Sequence, residues 1–238
     1  MRSISPVLKA RVAGVFYLLI FATAPFHEIF VRGRLIDYQS AAATAANIMT
    51  HESLYRLGLA VSIVTLTCDV IVALILLELL APVSHSLSVW AAAFRLTFVA
   101  IMAANALNYF APLVVLGKAS YLTAFNAAQL QALALASQRM YNAGFNVADV
   151  FFGVHVLLLG YLIFRSGFLP RGLGGLLVLG GVCYLTVSFA NLLVPENGLG
   201  AMLLRGAVGE LALMFWLLIK GVNEARWSSL AAGNPVLL

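Results

Sequence analysis

Residues 54–81 read LYRLGLAVSIVTLTCDVIVALILLELLA. A helix needs about 20 apolar residues to cross the hydrocarbon core of a bilayer, and this run exceeds that length. Apolar side chains fill every face, so no wet face exists for a soluble helix. Yet Arg56, Asp69 and Glu78 stand inside it or at its edges. Lipid accepts ionisable groups only where they pair or line a cavity. The stretch therefore predicts both a membrane helix and buried partners for its charges.

The rest of the chain repeats the pattern. Further apolar runs cover approximately residues 12–31, 87–116, 140–164, 173–194 and 202–222. The 238 residues are 63% hydrophobic and 10% charged, with a mean hydropathy of +1.00. A soluble domain carries about 25% charged residues, so lipid is the solvent here. These numbers predict an all-α, polytopic bundle of six transmembrane helices that forms a single integral membrane domain over residues 1–238. The first run reads as an uncleaved span, because Pro25 follows the nearest cleavage-like triplet, Ala22-Thr23-Ala24.

Lysine and arginine counts set the expected orientation. Arg2, Lys9, Arg11, Arg165, Arg171, Lys220 and Arg226 fall on one side, against Arg32, Arg34, Lys118 and Arg139 on the other. Both termini are then cytoplasmic. The net charge of +5 serves helix anchoring and membrane lipids rather than nucleic acid. Trp90, Tyr161, Tyr184 and Trp227 are placed as an interfacial belt. Cys68 and Cys183 form no disulfide framework. Short amphipathic helices are expected in outer loops 1 and 3, capped by Ser40 and Asn126. The second is expected to run to Arg139. Gly-rich runs at residues 172–175, Gly180-Gly181 and Gly206 with Gly209 read as small-residue helix packing, which leaves an oligomer open.

Hairpin arithmetic gives depth. A fold about residues 84–87 sets Asp69 near Asn105 and Arg95 near Glu78. A fold about residue 168 sets Asp149 level with Ser188 and Asn146 level with Asn191. Glu78 with Arg95 reads as a structural ion pair. Glu28, Arg56, Asn146, Asp149, Asn191, Arg205 and Glu210 read as ligand-binding residues of an outward-facing polar cavity. Asp69, His155 and Glu210 are the candidates for catalysis or proton relay. For each of these the plainer alternative is a buried, hydrogen-bonded structural role.

Motifs for chemistry are weak. The four histidines lie at 27, 51, 85 and 155, without HExxH-like spacing. Neither a nucleophile elbow nor a phosphate loop is present. No cofactor or resident metal is implied. The expected function is binding or transport of a small polar or amphipathic molecule. The alternatives are an intramembrane lipid-modifying enzyme, metal-dependent or not, and a non-catalytic partner or sensor.

A family resemblance runs nearly the whole length. Ala10-Arg11-Val12-Ala13-Gly14-Val15 with Tyr17-Leu18-Leu19 carries it first, then Glu28-Ile29-Phe30-Val31-Arg32-Gly33. His51-Glu52-Ser53-Leu54-Tyr55-Arg56-Leu57-Gly58, Cys68-Asp69-Val70 and Phe94-Arg95-Leu96 follow. So do Gln129-Leu130-Gln131-Ala132-Leu133, Phe151-Phe152-Gly153-Val154-His155, Gly209-Glu210-Leu211 and Trp216-Leu217-Leu218-Ile219-Lys220-Gly221. Together they resemble the bacterial family called domain of unknown function 4386. The resemblance implies a polytopic protein of the bacterial cytoplasmic (inner) membrane, of unassigned activity. It marks Glu28, Arg32, Arg56, Asp69, Arg95, His155 and Glu210. Asn146 departs from it, standing where an acid is expected.

Overall fold

A computed structural model describes residues 5–194 and 201–233, with side chains in the second stretch from Gly206 onward. The turn expected at Pro195-Glu196-Asn197-Gly198 lies outside the described residues. In order, the elements are α1 (Pro6–Pro25), a π-helical segment (Phe26–Arg32), α2 (Gly33–Leu35), α3 (Ala41–Thr50), α4 (Glu52–Leu80) and α5 (His85–Val115). A 3-10 turn (Ser120–Ala124), α6 (Ala127–Ser166), α7 (Arg171–Leu193), α8 (Ala201–Ile219) and α9 (Glu224–Ala232) follow. Among the described residues every regular element is helical. Five helices among the described residues are long and apolar enough to cross a membrane. A sixth is reached if Gly206–Ile219 and Glu224–Ala232, bent by 97°, count as one span.

Local chemistry explains the boundaries. Ser40 accepts a hydrogen bond from the Ala43 amide at 3.1 Å and starts α3. Asn126 and Gln129 form a reciprocal capping box ahead of α6: the Asn126 side chain accepts from the Gln129 amide, and Gln129 accepts from the Asn126 amide, each at 2.9 Å. The separate loop helix expected to end at Arg139 is corrected here. It continues without a break into the fourth span as the 40-residue α6. Residues 127–143 contain neither glycine nor proline, so nothing stops the helix there. Gly167, at φ 67°, ends α6, and Pro170 sits at the N-cap of α7.

The contacts divide the chain into two compact units. The first holds residues up to Ile20, Thr67–Val99 and residues from Asn146 onward; the second holds Phe21–Leu66 and Ala100–Phe145. In the first, small residues let backbones meet. A Cβ on Gly180 would stand 2.6 Å from the Gly206 carbonyl oxygen, and one on Gly174 2.7 Å from that of Gly160. This is the close packing the Gly-rich runs predict. In the second unit, a Cβ on Gly58 would meet the Tyr109 hydroxyl at 2.7 Å.

Candidate functional site

The first unit buries a charged network. Arg95, on α5, is 1% exposed. Its Nε donates to Asp69 Oδ1 at 3.0 Å, and its Nη2 donates to the same oxygen. Its Nη1 donates to the Tyr17 hydroxyl at 2.7 Å and to His155 Nε2 at 3.2 Å. Since Nε2 accepts, Nδ1 carries the imidazole proton and donates to the Ala91 carbonyl at 2.8 Å. The guanidinium also lies 4.9 Å from the Tyr17 ring centroid and 5.6 Å from that of Phe152. Beside this group the Tyr184 hydroxyl donates to Glu210 Oε2 at 2.8 Å. Ser188 donates to Asp149 Oδ2 at 3.4 Å, and Asn191 Nδ2 donates to Asn146 Oδ1 at 3.1 Å.

Several pairings depart from the sequence expectation. Arg95 pairs with Asp69, not with Glu78. Glu78, more than half exposed, accepts from Lys9 Nζ at 2.6 Å instead. The reason is the position of the turn. Asp69 lies 11 residues before the end of α4 at Leu80, and 11 residues after the start of α5 at His85 is Leu96, next to Arg95. Placing the turn a few residues too late misplaces every partner by twice that error. Asp69 therefore meets Arg95 rather than Asn105. Asn105 donates to the Tyr141 carbonyl at 2.8 Å. Tyr184 is buried against Glu210 rather than set in an interfacial belt. Asp69 and His155 hold opposite sides of one guanidinium, and among the described residues no three histidine, cysteine or acidic side chains gather as a metal site.

The second unit carries a different polar group, half open at its edge. It begins at Pro25, which has no N–H to give the helical ladder. The missing rung lets the register slip to the wider π-helical turn of Phe26–Arg32, where the Gly33 amide bonds back to the Glu28 carbonyl. His27, Glu28 and Arg32 all sit on this turn. His27 Nδ1 lies 2.9 Å from the Gly58 carbonyl, and its Nε2 lies 3.3 Å from the Tyr141 hydroxyl. Tyr141 donates to Glu28 Oε1 at 3.1 Å.

Arg32, 7% exposed, has its guanidinium 4.1 Å from the Tyr141 ring centroid. Nη1 donates to Glu28 Oε2; Nη2 donates to the Tyr38 hydroxyl at 2.9 Å and to Asn142 Oδ1 at 2.6 Å. Arg32 Nε is buried without a hydrogen-bond partner. Behind the group, Tyr55 and Tyr109 stack at 4.2 Å and exchange hydrogen bonds with each other's carbonyls. Gln138 donates to the Tyr55 hydroxyl at 2.9 Å, and its Oε1 is buried without a partner.

Of the expected ligand-binding residues, only Glu28 belongs to this group. Arg56 is exposed and pairs with Glu52 one turn earlier at 2.7 Å. Asn146, Asp149, Asn191 and Glu210 lie in the first unit, and Arg205 lies in the first turns of α8, outside the residues whose side chains are described. The sequence reading did not single out His27, Tyr38, Tyr55, Tyr109, Gln138 or Tyr141. Two signals point to three of them: a proline inside an apolar run with His27-Glu28 starting two residues on, and the i, i+3, i+4 spacing of Gln138, Tyr141 and Asn142 on one helix face.

The comparisons agree with the resemblance. The profile of the family described as Domain of unknown function (DUF4386) matches residues 12–221. A protein of Archaeoglobus fulgidus, described as "Uncharacterized protein", is 31% identical over 159 residues, covering 64% of this chain and 76% of that protein. No solved structure matches the chain. A match over this much of the sequence, with membrane-length helices carrying the motifs, means that the chain belongs to the DUF4386 family.

Proposed function

We propose that the protein binds a small polar or amphipathic molecule within the membrane, and that the recognition site is the group around Arg32 and Glu28. The observation that carries this reading is Arg32 itself. An arginine so buried is costly in a membrane unless its charge is used. Here it is held by an acid, a phenol and an amide on a π-helical turn, a geometry that recurs at functional sites. Glu28, Tyr38 and Asn142 remain partly exposed, so the group is reachable from its edge.

The reading includes six spans and both termini in the cytoplasm. The π-helical turn then faces the outside of a cytoplasmic membrane, and Glu28 remains the acid of the site. Asp69, Arg95 and His155 take a structural role in it, because each is bonded within its own unit.

A photoreactive amphiphile bearing a diazirine tests the proposal. Crosslinks in the purified, nanodisc-embedded protein should map to peptides holding Glu28–Tyr38 and Arg139–Tyr141. Uniform labelling of all lipid-facing helices, unaffected by unlabelled competitor, rules the site out.

A further inference from the structure

We infer that the Arg32 site selects an anionic group, a carboxylate or a phosphate, on its ligand. This rests on the binding reading above and names the chemistry it takes. The argument is an inventory of donors and acceptors. Arg32 has five N–H donors. Those of Nη1 and Nη2 reach Glu28, Tyr38 and Asn142, while Nε is left without a partner.

Asn142 uses only its carbonyl oxygen, which accepts from Arg32 and, at 3.2 Å, from Tyr38. Its amide nitrogen has no protein acceptor among the described residues and is half-buried at the rim. One turn earlier on α6, Arg139 spends one N–H on the Tyr38 carbonyl at 2.8 Å and keeps the rest of an exposed guanidinium. Among the acceptors nearby, the Glu28 carboxylate is already paired, Oε1 with Tyr141 and Oε2 with Arg32, while exposed Asp37 takes the Gln39 amide at 2.9 Å on Oδ1 alone.

Three donors here lack a full set of acceptors: Arg32 Nε, the Asn142 amide and Arg139. Two of the three belong to cations. A planar guanidinium edge beside an amide is complementary to an oxyanion with several lone pairs. A neutral hydroxyl could accept from only part of this set and brings no charge to the guanidinium groups, whereas a cationic ligand would leave the donors empty and meet like charge at Arg139.

A carboxylate from a free amphipathic acid and a phosphate from a lipid headgroup share this chemistry, and the test separates them. Nanodiscs of phosphatidylcholine, with or without phosphatidylglycerol, supply the lipid arm. Decanoate supplies the free-acid arm, inorganic phosphate the headgroup alone, and decanol is the neutral control. Native mass spectrometry reads retention, and calorimetry reads affinity for the soluble probes.

The decisive variant is Asn142→Asp. It keeps the oxygen that holds Arg32 and Tyr38, so the fold is preserved, but it removes the amide donors and adds a negative charge. Arg139→Gln is the second variant, at an exposed position. Each should weaken anion binding by about tenfold or more, the effect of losing a charge-assisted contact, while decanol is unaffected. Retention of phosphatidylglycerol with that pattern identifies a lipid; binding of decanoate with that pattern identifies a free acid. Decanol bound as tightly as decanoate, with Asn142→Asp indifferent, overturns the anion inference and leaves the binding reading standing. Anion binding that neither variant alters also overturns it, as diffuse surface attraction. No binding of any probe by the folded protein defeats both.

Discussion

Asp69 Oδ1 accepts two hydrogen bonds from the single guanidinium of Arg95, and the third nitrogen of that guanidinium is shared between Tyr17 and His155. One arginine thus ties α1, α4, α5 and α6 together inside the first unit. Removing one member of a buried ion pair strands the other. Arg95→Leu or Asp69→Leu should each cost about 3–5 kcal/mol, whereas the double variant should recover much of the loss. Thermal unfolding in one detergent compares the three. If the double variant is as unstable as the sum of the single ones, the pair is not the keystone described.

His155 should be held in one tautomer. Arg95 Nη1 can only donate, so His155 Nε2 must accept, and Nδ1–H must face the Ala91 carbonyl. NMR of ¹⁵N-histidine-labelled protein should show one His155 species protonated at Nδ1. His155→Gln preserves a donor and an acceptor and should cost about 1 kcal/mol; His155→Leu leaves an Arg95 N–H less satisfied and should cost about 1–3 kcal/mol. Equal losses in the two variants would mean that packing, not the hydrogen bonds, sets the requirement.

The sequence carried some of these contacts and hid others for a physical reason. Asp149 with Ser188 and Asn146 with Asn191 were legible because the turn between α6 and α7 is marked by Gly167 and Pro170, which fix its centre. Pro82 marked the α4–α5 turn less sharply, since serines extend on its C-terminal side. An error of a few residues there moved Asp69 away from Arg95. Both residues had been singled out by their charge; only their partners were misread.

The π-helical site was less legible still. Hydropathy registers Phe26–Arg32 as the tail of a span, and a lost backbone hydrogen bond at Pro25 leaves no trace in composition. Tyr55, Tyr109 and Tyr141 count as apolar in such a reading, although their hydroxyls build the site. What distinguishes them is the set of partners they meet, which depends on the packing of α4, α5 and α6 within the second unit.

Close helix approach gives a matched pair of variants. A Cβ at Gly180 would stand 2.6 Å from the Gly206 carbonyl oxygen, a backbone atom that cannot rotate away. One at Gly175, five residues earlier on the same helix, would meet nothing within 4 Å. Gly180→Ala should cost about 1–3 kcal/mol through overpacking. Gly175→Ala should be neutral or raise stability by about 0.4–1 kcal/mol. Equal Tm values for the two variants would show that α7 and α8 do not depend on this contact.

Behind the Arg32 group, Tyr55 is both donor and acceptor: it gives its hydrogen to the Tyr109 carbonyl and takes one from Gln138. Tyr55→Phe removes both bonds at constant shape. It should cost about 1–3 kcal/mol, because Gln138 keeps only the 3.3 Å contact with the Asn108 carbonyl. Combining it with Gln138→Leu should be less costly than the sum, since the apolar pair leaves less unsatisfied. Additive losses in unfolding experiments would indicate that the two side chains act independently.

Glu28→Gln tests whether Glu28 and a ligand compete for Arg32. The amide can still accept from Tyr141, but it no longer neutralises the guanidinium at the short contact to Nη1. Without ligand the variant should lose about 1–3 kcal/mol, the loss expected when a charged hydrogen bond becomes a neutral one. With an oxyanion present the sign should reverse. The freed guanidinium binds it more tightly, and the stabilisation follows the logarithm of ligand concentration over Kd. The measurement is Tm against decanoate concentration for both proteins. The variant should start lower and rise more steeply, narrowing the gap as decanoate increases. Parallel curves would mean that decanoate does not reach Arg32, and a flatter curve in the variant would mean that Glu28 helps hold the ligand rather than competing with it.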